Sequence, residues 1–255
     1  MDARTHAEQP YRRWLPQALR CLADRREPAS IMWTAQGGMQ RGLFDTESPG
    51  PASGRITLSE AFHVRARRIA CHRDVRRWDV LYRVLWRICA EGEHHLLECP
   101  ADPDVRRFET FDHAVTMDTH RMKGFLRFQK VTAEQTGDDY FVAHYEPDHR
   151  ILGWVVTHFA KRLGDAAWAI LTPDASVTCT RRRCRFGPGV RLLPSEDSDG
   201  IAALWRRYYR ATFNPERANT PLLDKNLPPR YRRHLTEAPT IDELSIDSPP
   251  FSEPK

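Results

Sequence analysis

The chain has 255 residues, 40% of them hydrophobic and 29% charged, which is enough apolar sequence for a folded domain and argues against wholesale disorder. Its apolar runs are only a few residues long and the first residues are polar, so we expect no membrane-spanning helix and no signal peptide. A net charge of +5 and six scattered cysteines without a C-x-x-C pair predict a cytoplasmic protein with reduced thiols and no zinc knuckle.

Helical patterns dominate the first half of the chain. Residues 11–23 have the spacing of a short helix, and 31–33 that of a strand. Ser59 is the expected N-cap of a helix that reaches Cys71. Apolar residues at helical spacing then predict a helix over 76–90.

A longer helix is predicted to begin after Asp102, because an N-cap acid followed by proline and a second acid is typical of a helix start. Its apolar stripe runs from Val105 to Phe125. His113 and His120 fall on the face opposite this stripe, within about 20° of each other. That face is either solvated or part of a site.

The hydrophobic period changes to that of strands after residue 125. The predicted elements are a hairpin of 126–131 and 140–145, a helix at 149–163, strands at 167–171, 176–180 and 184–186, and a helix from 199. This order predicts an α+β fold, with a helical N-terminal half packed on a small antiparallel sheet of hairpin, helix, β-meander and helix.

Composition and charge divide the chain further. Residues 1–54 form an N-terminal helix and strand with a Gly/Pro-rich connector, 55–240 the main α+β domain, and 241–255 an acidic tail predicted to be disordered. From 181 to 236, 13 basic residues stand against five acids. Although codon bias explains the preference for arginine over lysine equally well, this uneven distribution favours a polyanion-facing region.

Five motifs carry a family resemblance: HRMKGFLRF at 120–128, YEPDHRIL at 145–152, WAILTPDAS at 168–176, FNPER at 213–217 and PPRYRRHLTEA at 228–238. The match extends to Ala70-Cys71-His72-Arg73. Together they resemble a bacterial family of DNA metabolism or DNA repair proteins built on a domain of unknown function. The resemblance implies DNA as a partner, together with a radical-SAM protein or a uracil-DNA-glycosylase-like protein. The chain departs from the pattern at Arg232 and at 181–183, where the family usually has aromatic residues.

The candidate catalytic residues are His120, Glu146 and His149, which flank predicted helix and strand ends. His149 would lie at a helix N-terminus, where unpaired N–H groups bind anions. Antiparallel pairing of the hairpin should bring all three into one cleft with Lys123 or Arg127. The alternative is a solvated helix end and an ordinary helix cap. The three side chains would have to come from three separate elements to hold a metal, which does not favour a metal site, so we predict no metal and no cofactor.

A second predicted site is a mixture of arginine and aromatic residues for nucleic acid, comprising Lys123, Arg127, Arg206, Arg207, Arg210, Arg217, Asn219 and Tyr231. Guanidinium groups neutralise phosphates, amides read base edges and aromatic rings stack on bases. From the resemblance first, and from the distribution of arginine second, we expect a protein that binds DNA, including damaged DNA, in support of a catalytic partner. The alternatives are an enzyme acting directly on DNA or nucleotides through the His/Glu site, and a scaffold that binds only a protein partner.

Overall fold

The structure, a computed structural model of the chain, describes residues 3–40, 58–132 and 139–190. In order its helices and strands are α1 (Ala3–Ala23), α2 (Glu60–Ile69), α3 (Arg77–Ala90), α4 (Pro103–Phe125), β1 (Gln129–Thr132), β2 (Asp139–His144), α5 (Leu152–Leu163), β3 (Ala167–Leu171), β4 (Ala175–Thr180) and β5 (Arg183–Pro188). The predicted α+β class is confirmed. None of the helices in the described ranges combines the length and apolarity needed to cross a membrane.

The chain divides into two compact units. Of the described residues, the first comprises 3–40, 58–121 and 147–162, and the second comprises 122–132, 139–146 and 163–190. The first unit holds an aromatic core in which the rings of Trp14 and Trp78 stack with centroids 5.9 Å apart. The five-stranded sheet belongs to the second unit.

Helix α1 is longer than the predicted helix at 11–23 because its first turns are buried against α5. A Cβ atom added to Gly153 would lie 2.7 Å from the backbone nitrogen of Ala7, so the two helices approach each other at a residue that has no side chain. The predicted strand at 31–33 is wrong. Trp33 makes a single bridge to Met39, since the chain turns back through Gly37, whose φ is +80°.

The predicted starts of α2 and α4 are confirmed by their caps. The N–H of Phe62 donates to Ser59 Oγ at 3.2 Å. Asp102 Oδ1 accepts from the N–H groups of Asp104 and Val105 at 2.8 and 3.1 Å. Both caps satisfy amide groups that a helix cannot pair internally.

The sheet is mixed rather than all antiparallel, with strand order β1-β2-β3-β4-β5. Strands β2 and β3 pair in parallel, and the other neighbours are antiparallel. The antiparallel prediction is wrong for this one pair, because α5 lies between β2 and β3 in the chain. A connection that contains a helix returns the chain to the end of the sheet where the previous strand began, and parallel strands require it.

Strands β4 and β5 form a hairpin closed by Arg181 and Arg182, whose φ values are +49° and +62°. Two left-handed residues form the primed two-residue turn that matches the twist of a hairpin. Beyond the turn, Cys179 and Cys184 face each other in the ladder, with Cα atoms 4.1 Å apart, and form a disulfide. The prediction of reduced cysteines is therefore wrong for this pair.

Candidate functional site

The predicted catalytic residues lie at three places in the fold. His120 is exposed on α4, and Glu146 is half-buried two residues after β2. His149 lies before α5, which begins three residues later at Leu152. The prediction that this helix begins at His149 is therefore wrong. Within the described ranges, no group of three His, Cys, Asp or Glu residues is arranged to hold a metal ion.

The contacts of His149 are made inside the first unit. Its N–H donates to Oδ2 of the buried Asp118 at 2.8 Å, and its Nδ1 accepts from the N–H of Arg73 at 3.3 Å. Asp118 and His120 are two positions apart on α4, which is about 200° around the helix. These contacts therefore lie on the other side of α4 from His120. A common cleft for His120, Glu146 and His149 stays a prediction.

A stack of two imidazole rings is the feature that sequence reasoning missed. The ring centroids of His72 and His149 are 4.1 Å apart with their planes tilted by 30°, and the Phe111 ring lies 4.3 Å from that of His72 at a tilt of 39°. His72 Nδ1 accepts from the N–H of Asp74 at 3.1 Å. A ring nitrogen that accepts carries no proton, so both imidazoles are neutral with their hydrogen on Nε2. Burial also lowers the pKa of His72.

Buried groups hold the loop that carries His72. The guanidinium of Arg77 is buried and donates to the carbonyl oxygens of Ala70 and Asp74 at 3.2 and 2.9 Å. Desolvation lowers the pKa of Arg77 to about 10, so it stays charged at neutral pH. Burial raises the pKa of Cys71 to about 11, and its Sγ accepts from Trp154 Nε1–H at 3.3 Å. Cys71 is therefore a packed thiol rather than a nucleophile.

Next to this stack the first unit has a cleft of 440 Å³ between α3 and α4. Its charged lining residues are Arg76, Asp79 and Arg83 from the α3 segment and Asp104 and Arg107 from α4. On each segment they recur at i, i+3 and i+7, the spacing that puts residues on one helix face, and Phe111 continues the α4 series. We call this the α3–α4 cleft.

In the second unit, exposed basic residues line one face of the β4–β5 hairpin. Arg183 and Arg185 alternate along β5 and lie directly across from Thr180 and Thr178, all four being exposed. The opposite face of the same strands is buried at Val177 and Cys179. With Arg181 and Arg182 at the tip, this surface is called the arginine hairpin. Arg182 pairs with Asp165 at 3.1 Å, but both side chains are about three-quarters exposed, so the pair is weak.

Most of the predicted nucleic-acid-binding residues, namely Arg206, Arg207, Arg210, Arg217, Asn219 and Tyr231, lie outside the described residues. Lys123 is half-buried near the end of α4. The guanidinium of Arg127 donates to the carbonyl of Gly124 at 2.7 Å. This contact places the positive charge of Arg127 at the negative end of α4, and DNA binding by Lys123 and Arg127 stays a prediction.

The family model described as "Domain of unknown function (DUF4130)" matches residues 75–237, more than half of the chain. The chain belongs to the DUF4130 family. The DUF4130 match contains the arginine hairpin and the α3 and α4 walls of the cleft, and it begins three residues after His72. No curated protein and no solved structure gives a significant match.

Proposed function

We propose that this protein binds DNA through the arginine hairpin, in support of a catalytic partner. The observation that carries the proposal is the row of exposed arginines on one face of β5 and at its turn, opposite two threonine hydroxyls. Guanidinium and hydroxyl groups are common donors to phosphate oxygens in protein–DNA complexes. Contacts of this kind fix a protein on DNA without reading its sequence.

The spacing of the arginines on the arginine hairpin fits the repeating phosphates of a DNA strand. Arg183 and Arg185 are two residues apart on one face, a distance of about 7 Å along a strand. One DNA strand advances about 3.4 Å per nucleotide along the helix axis. Because each strand also winds around that axis, neighbouring phosphates are about twice this distance apart in space, so the two guanidinium groups match adjacent phosphates.

The hairpin is also held in shape before binding. Thr180 and Arg183, the residues on either side of the turn, pair with each other across the ladder. The next pair away from the turn, Cys179 and Cys184, is joined by the disulfide. A surface that is already ordered loses less conformational entropy when it binds. This supports the hairpin as the element that positions the protein on DNA.

The catalytic partner is the second part of the proposal. The resemblance to DNA repair proteins supports a radical-SAM or uracil-DNA-glycosylase-like protein in this role. The alternative is an enzyme that acts directly on DNA with His120, Glu146 and His149 as acid–base groups. Its His120→Ala variant would lose catalytic activity but keep its affinity for DNA. The two functions are therefore separated by assaying both properties on one variant.

The test replaces Arg183 and Arg185 by glutamine in the full chain and measures its affinity for a labelled DNA duplex by fluorescence anisotropy. Removing two charge-assisted hydrogen bonds should weaken binding by about tenfold or more. The matched control is Arg13→Gln with Arg106→Gln, which removes two exposed arginines of the helices. An equal loss of affinity in both double variants, or none in either, would reject the hairpin as the binding surface.

A further inference from the structure

The α3–α4 cleft has the dimensions of a small-molecule site rather than of a DNA-binding groove. Its 440 Å³ lies within the range of about 300–1,000 Å³ that ligand pockets occupy. Val80 and Phe111 give it an apolar wall, and charged side chains surround that wall. Such a combination binds a ligand with a flat apolar body and a few polar groups.

Some of the charged groups in the cleft are neutralised by protein partners. Arg76 donates from Nε to both carboxylate oxygens of Asp74, at 3.1 and 2.9 Å. Asp104 Oδ2 accepts from Arg87 at 3.0 Å, and its other oxygen lies 3.6 Å from Arg83. These groups define the cleft walls; Arg76 and Asp104 are hydrogen-bonded, whereas Arg83 makes, among the described residues, only the long ion pair to Asp104.

Two groups of opposite charge are left. Asp79 and Arg107 make no hydrogen bond or ion pair with any side chain in the described part of the chain, and Arg83 acts on Asp79 only at longer range. The side chain of Asp79 is exposed at the mouth of the cleft, and partial desolvation there raises its pKa. A ligand that donates hydrogen bonds at one end and carries negative charge at the other would satisfy both.

The half-buried Phe111 ring gives the cleft an aromatic wall. Its centroid is 4.3 Å from that of His72, and the His72 ring is 4.1 Å from that of His149. Nucleobases stack on aromatic side chains of this kind. Among the natural bases, guanine alone presents two adjacent donors, N1–H and the 2-amino group, that match the two oxygens of a carboxylate.

We propose that the α3–α4 cleft binds a guanine nucleoside monophosphate. The base would lie on Phe111, its N1–H and 2-amino group would donate to Asp79, and the phosphate would lie at Arg107. The occupant is either a free nucleotide or a guanine of a single strand, since both offer the same groups. The site goes beyond DNA binding by the arginine hairpin and does not depend on it.

The test titrates the full chain with dGMP, dIMP and dTMP and follows binding by calorimetry. dIMP lacks only the 2-amino group of dGMP, so it should bind about tenfold more weakly, and dTMP more weakly still. Asp79→Asn should bring the affinities for dGMP and dIMP together. The affinity for a trinucleotide with one central guanine is compared with that for dGMP. The tighter of the two shows whether the cleft prefers a guanine within a single strand or a free nucleotide.

The phosphate contact has a separate readout. Arg107→Gln should weaken dGMP binding by about tenfold and leave deoxyguanosine binding unchanged, because the nucleoside has no phosphate. Arg106→Gln is the control, since this exposed arginine is the next residue on α4 and does not line the cleft. Absence of dGMP binding, equal affinity for dGMP and dTMP, or equal effects of the two arginine variants would overturn the proposal. The Arg183→Gln, Arg185→Gln variant should bind dGMP normally, so failure of the DNA proposal is distinguishable from failure of this one.

Discussion

At the scale of single residues, two neutral histidines are placed by backbone amides. His72 and His149 each accept an N–H at Nδ1, and their rings are in contact. Protonating either ring would turn the accepting nitrogen into a donor facing another donor. The neutral state is therefore part of what holds the 70–74 loop beside Asp118 and the cleft.

The pH dependence of stability tests this arrangement. Burial lowers the pKa of His72 below its ordinary value of 6.5, so the unfolded chain binds the proton more tightly than the folded protein does. The stabilisation is present above pH 6.5 and is lost as the pH falls towards the folded pKa. His72→Phe keeps the stack but cannot titrate, so its unfolding free energy should fall less steeply on acidification.

Chemical denaturation at several pH values measures this effect. Other histidines contribute a background, since burial also lowers the pKa of His6 and His63. The exposed His113, replaced by Phe, provides the control and should keep the wild-type slope. If His72→Phe keeps that slope too, the neutral stacked pair does not contribute to stability.

At the scale of elements, the sequence predicted best where one strong local signal was present. Ser59 and Asp102 carry their caps in their own side chains, and both helix starts are confirmed. The predictions were wrong where the bounds or direction of an element depend on residues far away in the sequence. Helix α1 extends to Ala3 because it packs on Gly153, and the direction of β3 is set by its pairing with β2, neither of which is visible in a local window.

The disulfide of the β4–β5 hairpin is an element-scale feature with a measurable effect on stability. Cys179 and Cys184 are five positions apart in sequence, and closing so short a loop in the unfolded chain is worth about 2 kcal/mol in the chain-entropy account. The double variant Cys179→Ser, Cys184→Ser should lose about this amount of unfolding free energy. It should also bind DNA more weakly, because its arginines are then less ordered before binding.

Thiol counting and denaturation provide the measurements. The native protein should keep Cys179 and Cys184 unreactive towards a thiol reagent until a reductant is added. Cys99→Ser is the control, since this exposed cysteine is a free thiol and its replacement should leave stability unchanged. If the double variant is as stable as wild type, the disulfide does not shape the hairpin.

At the scale of the whole molecule, the candidate site was only partly predictable. His149 was a predicted site residue, whereas His72 only belonged to the stretch 70–73 that extends the family resemblance. The contact between their rings joins residues 77 positions apart in sequence. The cleft had a readable signal, since its charged residues recur at helical spacing on α3 and α4. The sequence did not predict that these faces of α3 and α4 meet, because their meeting depends on how the two helices pack. The run of arginines at 181–183 marked a departure from the family pattern and is now the basis of the proposed DNA contact.

The salt dependence of DNA affinity tests the central claim most directly. Removing one phosphate contact should reduce the slope of log affinity against log salt by about 0.9 for duplex DNA, so Arg183→Gln with Arg185→Gln should flatten it by about 2. The Arg13→Gln, Arg106→Gln control should keep the wild-type slope. An unchanged slope in the hairpin variant would contradict DNA binding through this surface.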